Sequence, residues 1–317
     1  METELKFQVP PALAAKLERA VATASAQTTR LQAVYAETAD RRLAANQMAL
    51  RLRKEGRLWV QTLKGRGDGM LNRLEHEVPL PMQRGTPVLD VQRHAGTAVG
   101  DKLIALLDGA PLRSLYTTDI TRLHRVARFH EARIEIAFDR GWLMAGEGLA
   151  KRKLAVHEIE FELKAGPPQL LAAFAMRWVA QHGLWWDCRT KSERGMRLAL
   201  GVETVPAVPA GARLPIRSFK AWQAALANAL SHALPNAAEL ASGLGSVAHT
   251  HELQASLGRL RHVLGLGSAG ALAGPADVLR QTLDMLLARP AWSPTELNFN
   301  AVMLGALSLS LPLTPDA

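Results

Sequence analysis

Charged and apolar residues alternate along the first half of the chain. In the opening stretch Glu2, Glu4 and Lys6 occupy even positions, while Leu5 and Phe7 occupy odd ones. Successive side chains of a strand point to opposite faces, so this spacing predicts a strand with two carboxylates and an ammonium on one side. The same period returns at Arg30 to Glu37, Ala49 to Arg53, Trp59 to Lys64, Arg73 to Val78, Thr118 to Val126, Arg133 to Phe138 and Val156 to Lys164. Together these predict about eight strands. Glycine-bearing connections separate them, and Gly65 to Gly69 reads as a hairpin connection because it lacks the strand-to-helix context of a phosphate loop.

Helical spacing appears in two places within this half. Ala12 to Ala26 follows two prolines and carries Leu13, Leu17 and Val21 on one stripe, and Gln169 to His182 follows the last strand. Trp185 and Trp186 then read as packing for that second helix against the sheet. The prolines and small residues of 205–211 predict an extended, weakly packed linker. Beyond it the β-branched alternation stops, and Ser218 to Ala233, His249 to Leu264, Pro275 to Ala288 and Pro294 to Leu307 predict an all-α bundle of about four helices. The chain is thus α+β, with units at 1–203 and 215–317 joined by 204–214.

Listing the charges by parity gives each strand a polar side. Arg51 and Arg53 share one, as do Thr62 and Lys64, then Arg73, Glu75 and Glu77, then Arg133, Glu135 and Asp139, and finally Glu158, Glu160, Glu162 and Lys164. If helices cover the apolar sides, the polar sides face either water or one another across a closed barrel. In a barrel, unpaired charges cost several kcal/mol each, so a ligand or mutual pairing is required. A cation-bound polyphosphate satisfies both signs, because carboxylates take the cation and Arg or Lys grip the phosphate oxygens.

Composition narrows the classes further. The 317 residues carry 38 Lys and Arg against 29 Asp and Glu, a formal charge of +9, and the basic excess lies before residue 204. That balance attracts anions. Cys188 is the single cysteine, which excludes an intramolecular disulfide and suits a reducing compartment, the cytoplasm. No secretory leader precedes the first charges, and the longest apolar run, Ala301 to Leu313, is too short to span a bilayer. His249, His251 and Glu252 stand without a second cluster at ligand spacing and read as surface or core residues.

The ordered motifs carry a resemblance. Glu2-x-Glu4-x-Lys6, the stretch Tyr35 to Leu43, Ala49 to Arg53, Thr62 to Lys64, Arg73 to Glu77, Glu135 to Gly141, Glu158 to Gly166 and the closing Lys191-Ser192-Glu193-Arg194-Gly195 together resemble the CYTH superfamily, the triphosphate tunnel metalloenzymes. The resemblance covers nearly all of residues 1–203. It implies a closed antiparallel eight-stranded β tunnel flanked by helices, with a triphosphate along its axis and Mg²⁺ or Mn²⁺ as cofactor. By position it implies metal ligands among Glu2, Glu4, Glu158, Glu160 and Glu162, with Glu2, Glu4, Glu160 and Glu162 catalytic. Which of the last three glutamates touch metal stays open, since all share one face. Lys6, Arg51, Arg53, Lys64, Arg73, Arg122, Lys191 and Arg194 would bind phosphates. Met144 stands where some relatives carry a lysine, and Ala36 and Ala39 replace an aromatic and a proline at the tunnel mouth.

Thr250 to Arg261 is similar to the opening helix of CHAD domains, but His251, Arg259 and Arg261 are all that remains of the basic pattern. The smaller all-α domain at 215–317 is therefore read as a partial, degenerate CHAD-like bundle. The activity implied is hydrolysis of inorganic triphosphate to pyrophosphate and phosphate. Alternatives are hydrolysis of a nucleoside or thiamine triphosphate, class IV adenylyl cyclase activity, or a non-catalytic module that binds polyphosphate or RNA. The glutamates argue against the last, and against nucleic acid as a partner, because pure phosphate binding gains nothing from acids that repel the ligand.

Overall fold

The computed structural model describes residues 2–67, 71–83, 85–267 and 272–312. Residues 68 and 69 of the glycine-rich connection and Leu313 of the last apolar run lie outside the described residues.

The alternating segments form long antiparallel strands: β1 (Glu2–Gln8), β2 (Gln27–Glu37), β3 (Ala49–Glu55), β4 (Leu58–Arg66), β5 (Asn72–Leu80), β6 (Arg113–Phe129), β7 (Ala132–Ala145) and β8 (Arg152–Ala165). They follow one another as β5-β4-β3-β2-β6-β7-β8-β1, and β1 pairs back onto β5, so the eight strands close a barrel. The closing seam is short. It consists of Glu2 opposite Arg73 and Thr3 opposite Asn72, and the Glu4 N–H donates to the Leu71 carbonyl at 3.2 Å. Past Thr3, β1 pairs on that side with a ninth strand, β9 (Trp185–Trp186).

The odd and even positions separate as the alternation predicts. Leu5, Phe7, Ile134, Ile136, Phe138, Ile159 and Phe161 point outward into one buried cluster with Leu171, Phe174, Trp178 and Val179 of α4 (Pro168–His182). Phe161 meets Phe174 edge-on at 5.3 Å and Phe7 at 5.6 Å. Each such side chain contributes about 1.5–3 kcal/mol by leaving water. On the opposite flank, α2 (Arg42–Ala45) and α3 (Ala98–Leu107) cover Leu50 and Leu63 through Leu43, Leu103 and Leu107.

After the barrel come α5 (Lys191–Leu200), α6 (Phe219–Ala241), α7 (Val247–Leu266), α8 (Ala273–Leu287) and α9 (Leu297–Ser310). The bundle does not keep a core of its own. Trp222, Leu226, Leu257, Met303 and Leu307 belong to the same buried cluster as Phe7 and Phe161. The segment 204–211 is extended, but it is pinned rather than loosely packed. Val208 exchanges two hydrogen bonds of 2.9 Å with the Asn236 amide, and the Ala210 N–H donates to Glu252 at 2.7 Å.

Local differences from the alternation have local causes. The helix expected over Ala12 to Ala26 starts as a 3₁₀ turn and is α-helical only over α1 (Ala14–Val21). Strands β6 and β7 run well beyond the polar stretches that predicted them, because their far ends face an apolar filling. Helix α6 continues through Pro235 to Ala241, so the proline acts inside the helix instead of ending it. No helix among the described residues is long and apolar enough to cross a membrane.

Candidate active site

Register decides which charges meet. Across β1 and β8, Glu4 lies opposite Glu162, Lys6 opposite Glu160 and Gln8 opposite Glu158. Across β7 and β8, Glu135 faces Glu162 and Asp139 faces Glu158, while Arg122 of β6 faces Asp139. Directly paired residues of antiparallel strands share a face, so these side chains all turn into the barrel. Lys64 opposite Glu75, and Glu2 opposite Arg73, continue the ring on the other wall. The result is a cavity of about 1220 Å³ lined by Glu2, Glu4, Lys6, Arg51, Arg53, Lys64, Arg73, Arg122, Glu160, Glu162 and Lys191. Glu158 and Arg194 do not line it. They face inward at the end that α5 fills, buried against each other and closed off from the open cavity.

The charges pair in two layers. In one, Lys64 Nζ bonds Glu2 at 2.7 Å and Glu75 at 3.3 Å, Arg73 bonds Glu4 at 2.9 Å, and Arg53 bonds Glu77 at 3.0 Å. In the other, Arg122 forks onto Asp139 with two bonds of 2.7 Å. Lys191 reaches Asp139 at 2.8 Å and Glu160 at 2.7 Å, and also meets Glu158. Burial alone would raise the carboxyl of Glu160, but Lys191 and Arg122 overcome it and hold the group well below the usual carboxylate range. Glu162 behaves oppositely: burial lifts its carboxyl, Glu2 and Glu135 add to the rise, and the hydrogen bond from Lys164 at 2.8 Å opposes it.

Two observations bear on what the site can hold. Lys6 is 5% exposed, and its Nζ has no hydrogen-bond partner among the described residues although it faces the cavity. An unfilled buried ammonium favours an anion. Asp139, Glu158 and Glu160 bring carboxylate oxygens within 4.8 Å of one another, a spacing that a divalent ion could use, but Arg122, Lys191 and Arg194 already supply their countercharge. Glu2, Glu4 and Glu162 offer hard oxygen donors nearer the seam; they too are paired, with Lys64, Arg73 and Lys164, and the Glu162 carboxyl also lies near Glu2 and Glu135, like charges that a cation would relieve. The residues present therefore fit Mg²⁺ or Mn²⁺ in donor chemistry.

Several residues that shape the site escaped the sequence reading. Helix α5 enters one end of the barrel: Leu198 packs against Leu31, Ile120, Leu143 and Val156, and also with Ala199 against the cluster of Ala33, Tyr35, Tyr116 and Ala145. Its first turn, capped by Thr190 accepting from the Glu193 N–H at 2.9 Å, carries Lys191 and Arg194 inward. Tyr35 and Tyr116 stack at 4.5 Å, and Tyr35 Oη accepts from Arg51 at 2.9 Å. Gly195 allows the approach, since a Cβ there would lie 2.2 Å from the Tyr116 ring. Glu75, Glu77, Glu135 and Asp139 share the parity of the assigned acids, and that parity was the available signal. Met144 is paired with Thr117 of β6 and lines a second, outer pocket with Gln32 and Trp59.

An inorganic triphosphatase of Haemophilus influenzae (strain ATCC 51907 / DSM 11121 / KW20 / Rd) is 30% identical over 203 residues, which is 62% of this chain and 54% of the relative. The chain thus spans about half the length of that curated relative. Among solved structures, a Hippeastrum protein described with a dominant triphosphatase activity covers 63% of this chain and 96% of its own, at 16% identity and a TM-score of 0.41. The PH1819 protein of Pyrococcus horikoshii OT3 covers 61% and 97%, at 18% identity and a TM-score of 0.40. The profile of the CYTH domain family matches residues 1–184, the span that holds all eight barrel strands. With more than half of its length inside that match, the chain belongs to the CYTH domain family.

Proposed function

We propose that the protein hydrolyses inorganic triphosphate to pyrophosphate and phosphate within the barrel, using Mg²⁺ or Mn²⁺. The observation that carries this reading is a cavity in the barrel whose wall combines Lys and Arg donors with oxygen-donor carboxylates. Lys6, Arg51, Arg53, Lys64, Arg73, Arg122 and Lys191 bind phosphate oxygens, and Arg194 acts from the α5 end by fixing Glu158. Glu2, Glu4 and Glu162 would hold the ion, which when bound would supply neutralisation of substrate charge. Glu160 remains ionised between Lys191 and Arg122 and keeps both bases aimed into the lumen. Most of the acceleration then comes from positioning and fixed charge. A reducing compartment such as the cytoplasm fits the free thiol of Cys188.

Inorganic triphosphate is favoured over nucleotide or thiamine triphosphate because the aromatic rings of the cavity are already engaged. Tyr35 is stacked on Tyr116, and Trp186 is buried against Phe7. The similarity to a protein named an inorganic triphosphatase supports the same choice. The test is phosphate release from triphosphate, long-chain polyphosphate, ATP and thiamine triphosphate, with Mg²⁺ and with Mn²⁺. Triphosphate is expected to be fastest, and Glu4→Gln to lose about 100-fold, the scale of removing one electrostatic contact to the reacting group. Equal rates for the variant and the parent, or a preference for ATP, would overturn the reading.

A further inference from the structure

Helix α5 has two polar sides with different destinations. Lys191 and Arg194 point into the barrel, whereas Arg197, in its last turn, points to the helical bundle and forks onto Glu239 of α6 with bonds of 2.6 and 3.1 Å. Arg189, two residues before the helix, reaches the same carboxylate at 3.3 Å and the Ser242 hydroxyl at 2.9 Å. Glu239 is 3% exposed, so this carboxylate is a buried anchor that straps both ends of α5. Its influence continues toward β1. Arg189 also clamps Asp187 through Nε and Nη2 at 2.9 Å each, Asp187 accepts from the Gln8 amide at 2.9 Å, and the Asp187 N–H donates to the Lys6 carbonyl at 3.2 Å.

We propose that Glu239 is a positioning residue for triphosphate binding, through which the helical bundle holds Lys191 and Arg194 at the barrel wall and braces the backbone of Lys6. The inference rests on the function proposed above. Helix α5 is ten residues long and is held in the barrel by the packing of Leu198 and Ala199 and by the ion pairs of Lys191 and Arg194. A helix that short draws little stability from its own hydrogen bonds, so its placement depends on outside contacts. Removing the negative charge of Glu239 leaves Arg189 with Asp187 as its one carboxylate partner and Arg197 with only the Glu203 carbonyl at 2.7 Å, and the helix is then free to shift. Nothing in the bundle touches the substrate in this scheme. Its contribution is the fixed geometry of three bases.

The experiment compares Glu239→Gln, Glu239→Asp and Arg197→Lys in the full chain with Asp284→Ala, which removes a half-buried partner of Arg261 and Arg280 elsewhere in the bundle. Triphosphate affinity by calorimetry without metal, KM and kcat with Mg²⁺, and hydrogen exchange of the α5 amides are read together. Glu239→Gln is expected to weaken binding and raise KM about tenfold, to change kcat less, and to speed exchange across residues 191–200. Glu239→Asp should recover part of the loss, and Asp284→Ala should match the parent. If Glu239→Gln does not fold, Arg197→Lys carries the same expectation at about a threefold change. Parent-like affinity and α5 exchange in both Glu239→Gln and Arg197→Lys would overturn the positioning role while leaving the proposed function intact. A parent protein that binds no triphosphate would overturn both.

Discussion

Substituting Gly195 by alanine tests whether α5 must sit as deep in the barrel as it does. The added methyl group would lie 2.2 and 2.4 Å from two ring carbons of Tyr116, where ordinary contacts begin at 3.4 Å, so ring or helix must yield by about 1 Å. The ring has nowhere to go. Tyr116 is 4% exposed, stacked on Tyr35 at 4.5 Å, and its hydroxyl bonds Ser192 at 3.2 Å. The helix therefore lifts. Overpacking of this kind costs about 1–3 kcal/mol, which at roughly 2–4 °C per kcal/mol lowers the melting temperature by about 2–12 °C. Lys191 and Arg194 lie within one turn of Gly195, and a displacement near 1 Å at a reacting site can cost about 100-fold. Thermal melting together with KM and kcat for triphosphate would measure both effects. A variant that melts within about 1 °C of the parent and turns over within about twofold would refute the packing argument.

Three further outcomes follow from described contacts. Lys191→Met strips the shared countercharge from Asp139, Glu158 and Glu160, and is expected to cost about 3 kcal/mol in urea unfolding along with most of the activity. Stability should fall on acidification because His94, fully buried and bonded to His76 at 2.8 Å and to Gln61 at 2.9 Å, has its imidazole pushed down to about 4 by burial, His76 and Arg93. The unfolded chain takes up that proton first, so stability present above pH of about 6.5 declines toward pH 4 by up to about 3 kcal/mol, and His94→Gln should flatten the decline in urea titrations at pH 7 and 5. Chelation of divalent ions should abolish phosphate release yet leave the far-ultraviolet dichroism of the barrel unchanged, since the strands close by their own hydrogen bonds; unfolding on chelation would assign the ion a structural role.

The barrel was legible wherever one strand face was apolar and the other charged. Glu2, Glu4 and Lys6 against Leu5 and Phe7, and Glu158, Glu160 and Glu162 against Ile159 and Phe161, give the correct strand and the correct side because helices cover one face and the lumen receives the other. The signal faded where α5 fills the lumen. There Tyr116, Leu143 and Ala145 face inward, both sides of β6 and β7 are apolar or small, and alternation no longer marks the strand. Helix α5 itself was hidden for a related reason. The motif of Lys191 to Gly195 marked the side that carries Lys191 and Arg194, but nothing in it shows that the segment is a helix filling the barrel end or that Arg197 meets Glu239 on the other side. The pinning of 204–211 was likewise invisible, because Asn236 and Glu252 stand far along the chain from the backbone they hold.

The ion pairs nearest the seam have a thermodynamic implication. Glu2 and Glu4 are occupied by Lys64 and Arg73. Under the proposed function, bases that turn toward phosphate oxygens would release both glutamates as oxygen donors, and occupation of the glutamates would in turn free the bases. Each binding event would thus prepay the other's cost of breaking the same two contacts. Such linkage is reciprocal by necessity: under the proposed function, dissociation constants for triphosphate measured with and without Mg²⁺ and those for Mg²⁺ measured with and without triphosphate must shift by one common factor.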